Sequence, residues 1–301
     1  MRCAGLEIGA ALVAALFVGG GASAAARLMT WPDLLFRPKP LPTRTVSYGD
    51  DPNQVADLWL PLGKGPFPAV VMIHGGCWQA SIANHTIMNY AAEDLRKRGV
   101  AVWNIEYRAT DQPGGGYPGT FRDVGAAMDR LALEAPHDDI SMKRVVVVGH
   151  SAGGQLALWA AARYKLPAWS PLHWAAPQPV VGVVDIAGIP NLKTDTQTAC
   201  GPEVLKKLAG PASKARRDVY ADTSPSALLP LGVPQVVIHG TEDTTVPPVI
   251  GQAYVQAASA AGDKVVFHSP PGGHVEGITP GTPAWDDAVV SIKSLLRGAP
   301  A

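Results

Sequence analysis

Six stretches of this chain are near-continuous runs of β-branched and other apolar residues, and they limit its fold more than any other feature. They are AVVMIHGG (69–76), VAVWNIEYR (100–108), RVVVVGHS (144–151), VVGVVDIAG (180–188), QVVIHG (235–240) and KVVFHSPPG (264–272). A strand with one face in water alternates polar and apolar residues, whereas a strand without alternation is covered on both faces. Strands of the second kind build a parallel sheet between two layers of helices. Helical segments are predicted between the runs, over 84–98, 120–134, 152–164, 249–261 and 284–297. The first ends at Gly99 and the second stops short of Pro136, both ordinary helix-terminating positions. Ahead of the runs, TRTVSYG (43–49) and VADLWLP (55–61) do alternate, which reads as a half-exposed antiparallel hairpin. The expected class is therefore α/β: a mostly parallel central sheet with an N-terminal antiparallel hairpin and helices on both faces.

One segment breaks the alternation. Residues 189–232 are mixed and polar, with several prolines and the charged patch SKARRD, between two core strands. An insertion there reads as a small cap over the C-terminal edge of the sheet. No internal repeat or second domain is evident, and 301 residues suffice for one large core. Residues 43–301 are thus read as a single domain. Residues 27–42, rich in proline, read as an extended linker or a surface strap.

The first 26 residues need separate treatment. Arg2, an apolar stretch from Ile8 to Val18 and the small-residue pattern Ala22-Ser23-Ala24 have the layout of a secretory signal peptide. Glu7 sits awkwardly in it; an N-terminal anchor and an ordinary helix are the other readings. The expected location is exported, periplasmic or secreted, with membrane association possible only through this segment. Of three cysteines, Cys77 and Cys200 lie beyond it. They either pair, as an oxidising compartment permits, or sit apart as small buried hydrophobes. No Cys/His cluster has zinc spacing, and no metal or cofactor is expected. With 25 basic and 25 acidic residues, the chain carries no basic footprint for nucleic acid.

The chemistry centres on Gly149-His150-Ser151-Ala152-Gly153, a G-x-S-x-G between a four-valine strand and a helix. Small neighbours let a nucleophilic serine occupy a strained strand-to-helix turn. Helix N-capping by Ser151 is the plain alternative. A serine needs a base, and His274 in SPPGGHVEG, a Gly-rich loop after the last run, is the candidate. His74 and His239 end core strands, and His150 neighbours Ser151 but is expected to point away. His85, His137 and His173 show no partner pattern, and His268 lies within a strand run. The acid that orients the base should follow the preceding strand. Asp243 is favoured, with Glu242 as runner-up and Asp185 a third choice. In HGGCW (74–78) the glycines let backbone amides face a substrate. Gly75, Gly76 and Cys77, with Ala152 after the nucleophile, are the expected oxyanion donors. Trp78 and Trp159 are candidate substrate-binding residues. Glu106, Tyr107 and Arg108 read as a structural ion-pair cluster. PGGGYPG (113–119) lacks a phosphate-loop signature and reads as a mobile loop near the site.

Together, HGGCW, NIEYR, GHSAGG, HGTEDTTVP and GGH resemble the alpha/beta hydrolase superfamily, in the esterase branch with an HGG-x-W oxyanion motif. That branch includes carboxylesterases, acetyl and feruloyl esterases and arylformamidases. The resemblance spans roughly 43–296, and the chain order Ser151, Asp243, His274 is the one it requires. It implies a serine hydrolase that cleaves carboxylic esters through an acyl-enzyme, on a small-molecule ester or amide. An arylformamidase-type amidase or short-peptide hydrolase is the alternative, although Cys77 stands where arylformamidases usually carry an aromatic residue. A non-catalytic binding protein on the same fold is the alternative of another class.

Overall fold

In the computed structural model, which describes residues 1, 27–195 and 200–298, the β-branched runs become strands of a single sheet. The expected leader lies outside the described residues apart from Met1. In chain order the elements are α1 (Trp31–Leu35), β1 (Arg44–Ser47), β2 (Val55–Trp59), β3 (Phe67–Ile73), α2 (Asn89–Lys97), β4 (Ala101–Ile105), α3 (Gly119–Glu134) and β5 (Ile140–His150). They continue with α4 (Ala152–Ala161), β6 (Gly182–Ile186), α5 (Pro202–Ala209), β7 (Gln235–Ile238), α6 (Pro248–Ala260), β8 (Val265–His268) and α7 (Pro283–Leu296). Strand order is β1-β2-β4-β3-β5-β6-β7-β8, eight strands. β1 and β2 pair antiparallel, as does β2 with β4, and every later pairing is parallel. The sequence-derived class, hairpin included, is what the structure has.

Successive valines serve opposite faces because side chains alternate along a strand. Val71, Val145, Val147, Val183 and Val237 join the core under α3, α4 and α6, with Phe121, Leu156 and Tyr254. Val70, Val146, Val148, Val184 and Val236 join the core under α2 and α7, with Leu95, Trp285 and Ile292. β8 differs from the expectation of burial on both faces. It is an edge strand whose four residues are half-buried, since among the described residues no strand pairs beyond it. The helix expected from residue 84 begins as a 3₁₀ turn, His85–Met88, before α2. Among the described residues, no helix is long and apolar enough to cross a membrane.

Three connections depart from, or refine, the reading of the sequence. Residues 27–42 lie as a strap across the molecule, where Leu34 is buried with the α2 and α7 core. The insertion 189–232 holds α5 and a 3₁₀ turn, Pro225–Ala227, and residues 196–199 of it are not described. The loop 113–119 is packed against the insertion and is no open flap. Tyr117 donates its N–H to the Lys207 carbonyl at 3.1 Å, and the Arg216 guanidinium lies 3.7 Å from the Tyr117 ring centroid.

Candidate active site

β5 ends directly against α4, and Ser151 is the single residue between them. Its φ of 55° and ψ of −122° put a non-glycine residue in backbone space that costs on the order of 1–3 kcal/mol. The turn closes so tightly that its glycines cannot be replaced without movement. A Cβ on Gly149 would lie 1.9 Å from the Gly153 carbonyl oxygen, and one on Gly153 would lie 2.2 Å from that of Ile73. The five-residue pattern is thus a steric requirement of this junction. Ser151 does not act as a side-chain N-cap.

The HGG segment lies against this turn. A Cβ on Gly75 would be 2.9 Å from both the His150 carbonyl oxygen and Ser151 Cβ. Gly76, Cys77 and Trp78 all have positive φ, at 107°, 51° and 52°. That curl turns successive amides in one direction, and among the described residues those of Gly76 and Cys77 donate to no acceptor. Ala152 is the first residue of α4, so its N–H has no partner in the preceding turn, and the helix dipole places positive potential there. Of the HGG segment, Gly75 is the residue in direct contact with Ser151.

On the other side, the loop after β8 carries His274. Its Nδ1–H donates to Asp243 Oδ2 at 2.7 Å. Asp243 Oδ1 accepts the amides of Thr245 (2.8 Å) and Val246 (2.9 Å). Burial alone would raise the Asp243 pKa; hydrogen bonds from His274, Val246 and Thr245 outweigh it and hold the carboxyl below its ordinary value. Glu242 is exposed. Asp185 is the penultimate residue of β6, beside Gly154 and Gly188, and among the described residues its carboxyl makes no hydrogen bond to His274. Burial pushes it up to about 8, so it is an uncharged acid at neutral pH. Among the described residues, no hydrogen bond links Ser151 Oγ to His274.

The sequence points His150 away, yet it bridges Ser151 and the histidine loop. Its ring packs 4.5 Å from that of His274, and Nε2 donates to the His274 carbonyl at 3.0 Å. Burial drives its pKa down to about 3, so it is a neutral spacer. His85 also has partners, against expectation. Its Nδ1 meets Glu106 at 2.9 Å and its Nε2 meets Asp57 at 3.0 Å. Burial opposes its charge, but the two carboxylates win and hold it up at about 9. Glu106 also takes His74 Nε2 at 2.8 Å, and Tyr107 donates its hydroxyl to the His74 carbonyl. This buried chain steadies the root of the HGG segment. Glu106 and Tyr107 therefore have the structural role read for them, and Arg108 pairs with Asp123.

The structure puts both candidate substrate-binding tryptophans in the core. Trp78 donates its indole N–H to Gln155 Oε1 (3.1 Å), and Gln155 donates in turn to the Thr223 carbonyl. Trp159 donates to the Asp222 carbonyl and lines a groove of about 730 Å³ with Phe121, Leu172 and Trp174. Ser151, His274, Asp243, Gly75, Gly76, Cys77 and Ala152 do not border that groove. What the sequence left open, the structure closes: Cys77 and Cys200 form a disulfide, tying the HGG segment to the insertion.

A family model described as BD-FAE matches residues 56–257, more than half of the chain, a span that holds Ser151 and Asp243 and stops before His274. Esterase LipC of Mycobacterium tuberculosis is 27% identical over 229 residues, covering 72% of this chain and 55% of that protein. The chain thus spans about half the length of this curated relative. Esterase B from Lactobacillus rhamnosis has a similar structure, with a TM-score of 0.72 at 19% identity, covering 87% of this chain and 89% of that one. A truncated carbohydrate esterase from gut microbiota gives 0.70 at 23% identity, covering 85% and 97%. At such identities the likeness establishes the fold, the α/β-hydrolase fold.

Proposed function

This chain belongs to the BD-FAE family, and from that premise we propose that it is a serine hydrolase of carboxylic esters working through an acyl-enzyme. The observation that carries the reading is the strained Ser151 turn, flanked by free amides on one side and the Asp243-supported His274 on the other. Ser151 Oγ attacks the ester carbonyl while His274 Nε2 takes its proton. The oxygen of the tetrahedral intermediate is held by the amides of Gly76, Cys77 and Ala152. His274 then returns the proton to the departing alcohol, leaving Ser151 acylated. Water, deprotonated by the same imidazole, releases the acid. Asp243 stays ionised throughout and fixes the imidazole with Nδ1 protonated, so that Nε2 faces the serine.

The substrate in this reading is a small ester, with an amide of the arylformamide type as competitor. Export, the setting in which the Cys77–Cys200 bond persists, belongs to the proposal, and a mature mass beginning near Ala25 would support it. The decisive assay is hydrolysis of p-nitrophenyl esters from acetate to decanoate, beside N-formyl-kynurenine and with Ser151→Ala as control. Ester turnover is expected to fall roughly 10⁴-fold or more in the variant. A phosphonate should label Ser151 of the wild type alone. Turnover that survives in Ser151→Ala, or faster cleavage of the formamide, would overturn the assignment.

A further inference from the structure

The proline-rich strap, 27–42, is pinned at several points close to the candidate catalytic centre. Glu276, 6% exposed, spans the gap with one carboxylate: Oε1 accepts the Met29 N–H at 2.6 Å and Oε2 accepts the Gly273 N–H at 3.0 Å. Further along, Tyr90 donates its hydroxyl to the Arg37 carbonyl (3.0 Å), and Asn89 its amide to that of Pro40 (3.1 Å). Between these anchors α1 is capped by Thr30 and Asp33, whose carboxylate accepts the Thr30 N–H and hydroxyl at 2.7 and 2.8 Å. Leu34 is fully buried. The strap therefore holds one place, and the residue it presents there is Trp31.

The Trp31 ring stands edge-to-face with two imidazoles, its centroid 6.1 Å from that of His150 and 6.4 Å from that of His274. It is nevertheless 37% exposed, unlike Trp59, Trp78, Trp103 and Trp285, which are fully buried. An indole held beside the reacting imidazole with a third of its surface open offers a flat apolar wall. The chemistry decides which part of an ester lies against that wall. The carbonyl oxygen goes to the amides of Gly76, Cys77 and Ala152, whereas the alcohol must take its proton from His274. A group beside His274 therefore borders the alcohol, and an indole favours an aromatic ring there over a short alkyl chain.

Building on the reading under Proposed function, we infer that Trp31 determines specificity for the alcohol part of the ester, and that the site selects alcohols bearing an aromatic ring. Trp31 acts in acylation only, because the alcohol has left before water attacks. Residues 27–42 are then part of the substrate site, not a tether.

The test compares benzyl, cyclohexylmethyl and ethyl acetates, which share one acyl group and leave alcohols of similar basicity. Trp31→Ala should lower kcat/KM about tenfold for benzyl acetate and less than twofold for ethyl acetate. Cyclohexylmethyl acetate should fall in between, and Trp31→Phe should retain most of the benzyl preference. Single-turnover hydrolysis of the common acetyl-enzyme should be unchanged in both variants. Equal losses on all three esters, or slower deacylation, would mean that Trp31 only positions His274, and would overturn the inference. So would unchanged selectivity in a folded Trp31→Ala. A wild type that neither turns over any ester nor reacts with a phosphonate would instead sink the underlying hydrolase reading, and the inference with it.

Discussion

Two regions meet at Cys77, and different physics holds each. The serine turn and the HGG segment are fixed by backbone against backbone, with glycines whose missing Cβ atoms would fall about 2–3 Å from neighbouring atoms. The insertion 189–232 has only scattered backbone bonds, such as Tyr117 N–H to the Lys207 carbonyl, and relies largely on side chains and one covalent bond. Asp222, wholly buried, accepts from Arg216 Nε (2.8 Å), Ser170 Oγ (2.7 Å) and Tyr117 Oη (3.0 Å). The Cys77–Cys200 disulfide joins the two regions across a sequence separation of 123. Backbone packing tolerates almost no displacement, which suits a site where about 1 Å of misplacement costs on the order of 10²-fold in rate. A side-chain hub with a covalent tie fixes a segment of irregular shape, for which no backbone ladder is available.

The most direct way to break this contrast is Gly153→Ala. The new methyl must displace the Ile73 carbonyl, so activity on p-nitrophenyl acetate should fall about 10²-fold or more, with a stability loss of about 1–3 kcal/mol in urea. Wild-type kinetics in this variant would show that the turn is looser than its packing implies. Cys200→Ser probes the other region and leaves the oxyanion backbone chemically intact. For a loop of this length the chain-entropy model gives about 4–5 kcal/mol, and native bonds commonly contribute about 2–4. The denaturation midpoint should fall markedly while kcat drops less than about tenfold, a smaller activity loss than at Gly153. If activity collapsed as far as in Gly153→Ala, the tether would be holding the oxyanion amides as well as the fold.

Asp185→Asn should have the smallest effect on activity, its readout being the pH dependence of stability, and it sharpens what lies beneath the turn. Burial raises the folded-state pKa of Asp185 to about 8, while the unfolded chain ionises near its ordinary value of 3.8. The unfolded state therefore releases a proton that the folded state keeps. Stability falls as pH rises between those two values and then levels. Asparagine has no proton to lose, so its advantage in melting temperature over the wild type should widen from pH 5 to pH 8. An advantage independent of pH would mean that the carboxyl is ionised in the fold.

Much of this was legible in the chain itself. The unbroken valine runs announced the parallel sheet, because period-2 alternation must be absent where both faces are covered. Gly149-x-Ser151-x-Gly153 and HGG were readable because steric demands at a tight junction leave only small residues. Chain order pointed to His274 and to an acid after β7, but left Glu242 and Asp185 beside Asp243 as alternatives. Contacts between segments far apart in sequence carried no such signature. His150 bonds the His274 carbonyl 124 positions away, and His85 reaches back to Asp57. Trp78 and Trp159 looked like walls of a pocket at Ser151; each satisfies its indole N–H in the core, and the groove that Trp159 lines is not bordered by Ser151. A signal for the strap was present, since Thr30-Trp31-Pro32-Asp33 has the spacing of a capping box with proline in the first turn. Three further prolines, Pro38, Pro40 and Pro42, made the segment read as linker instead.

The sequence alone determined the layers of the fold, the strained serine and the kinds of residue that surround it. Those features arise from local sterics and from periodicity, and both are written in consecutive residues. Tertiary structure alone decided that Asp243 and not exposed Glu242 meets His274, that Cys77 pairs with Cys200, and that Trp31 stands beside the imidazole. Each of these is a meeting of side chains from distant segments, set by how the loops cross the sheet edge. No local pattern encodes such a meeting, because its energy exists only once the chain has folded.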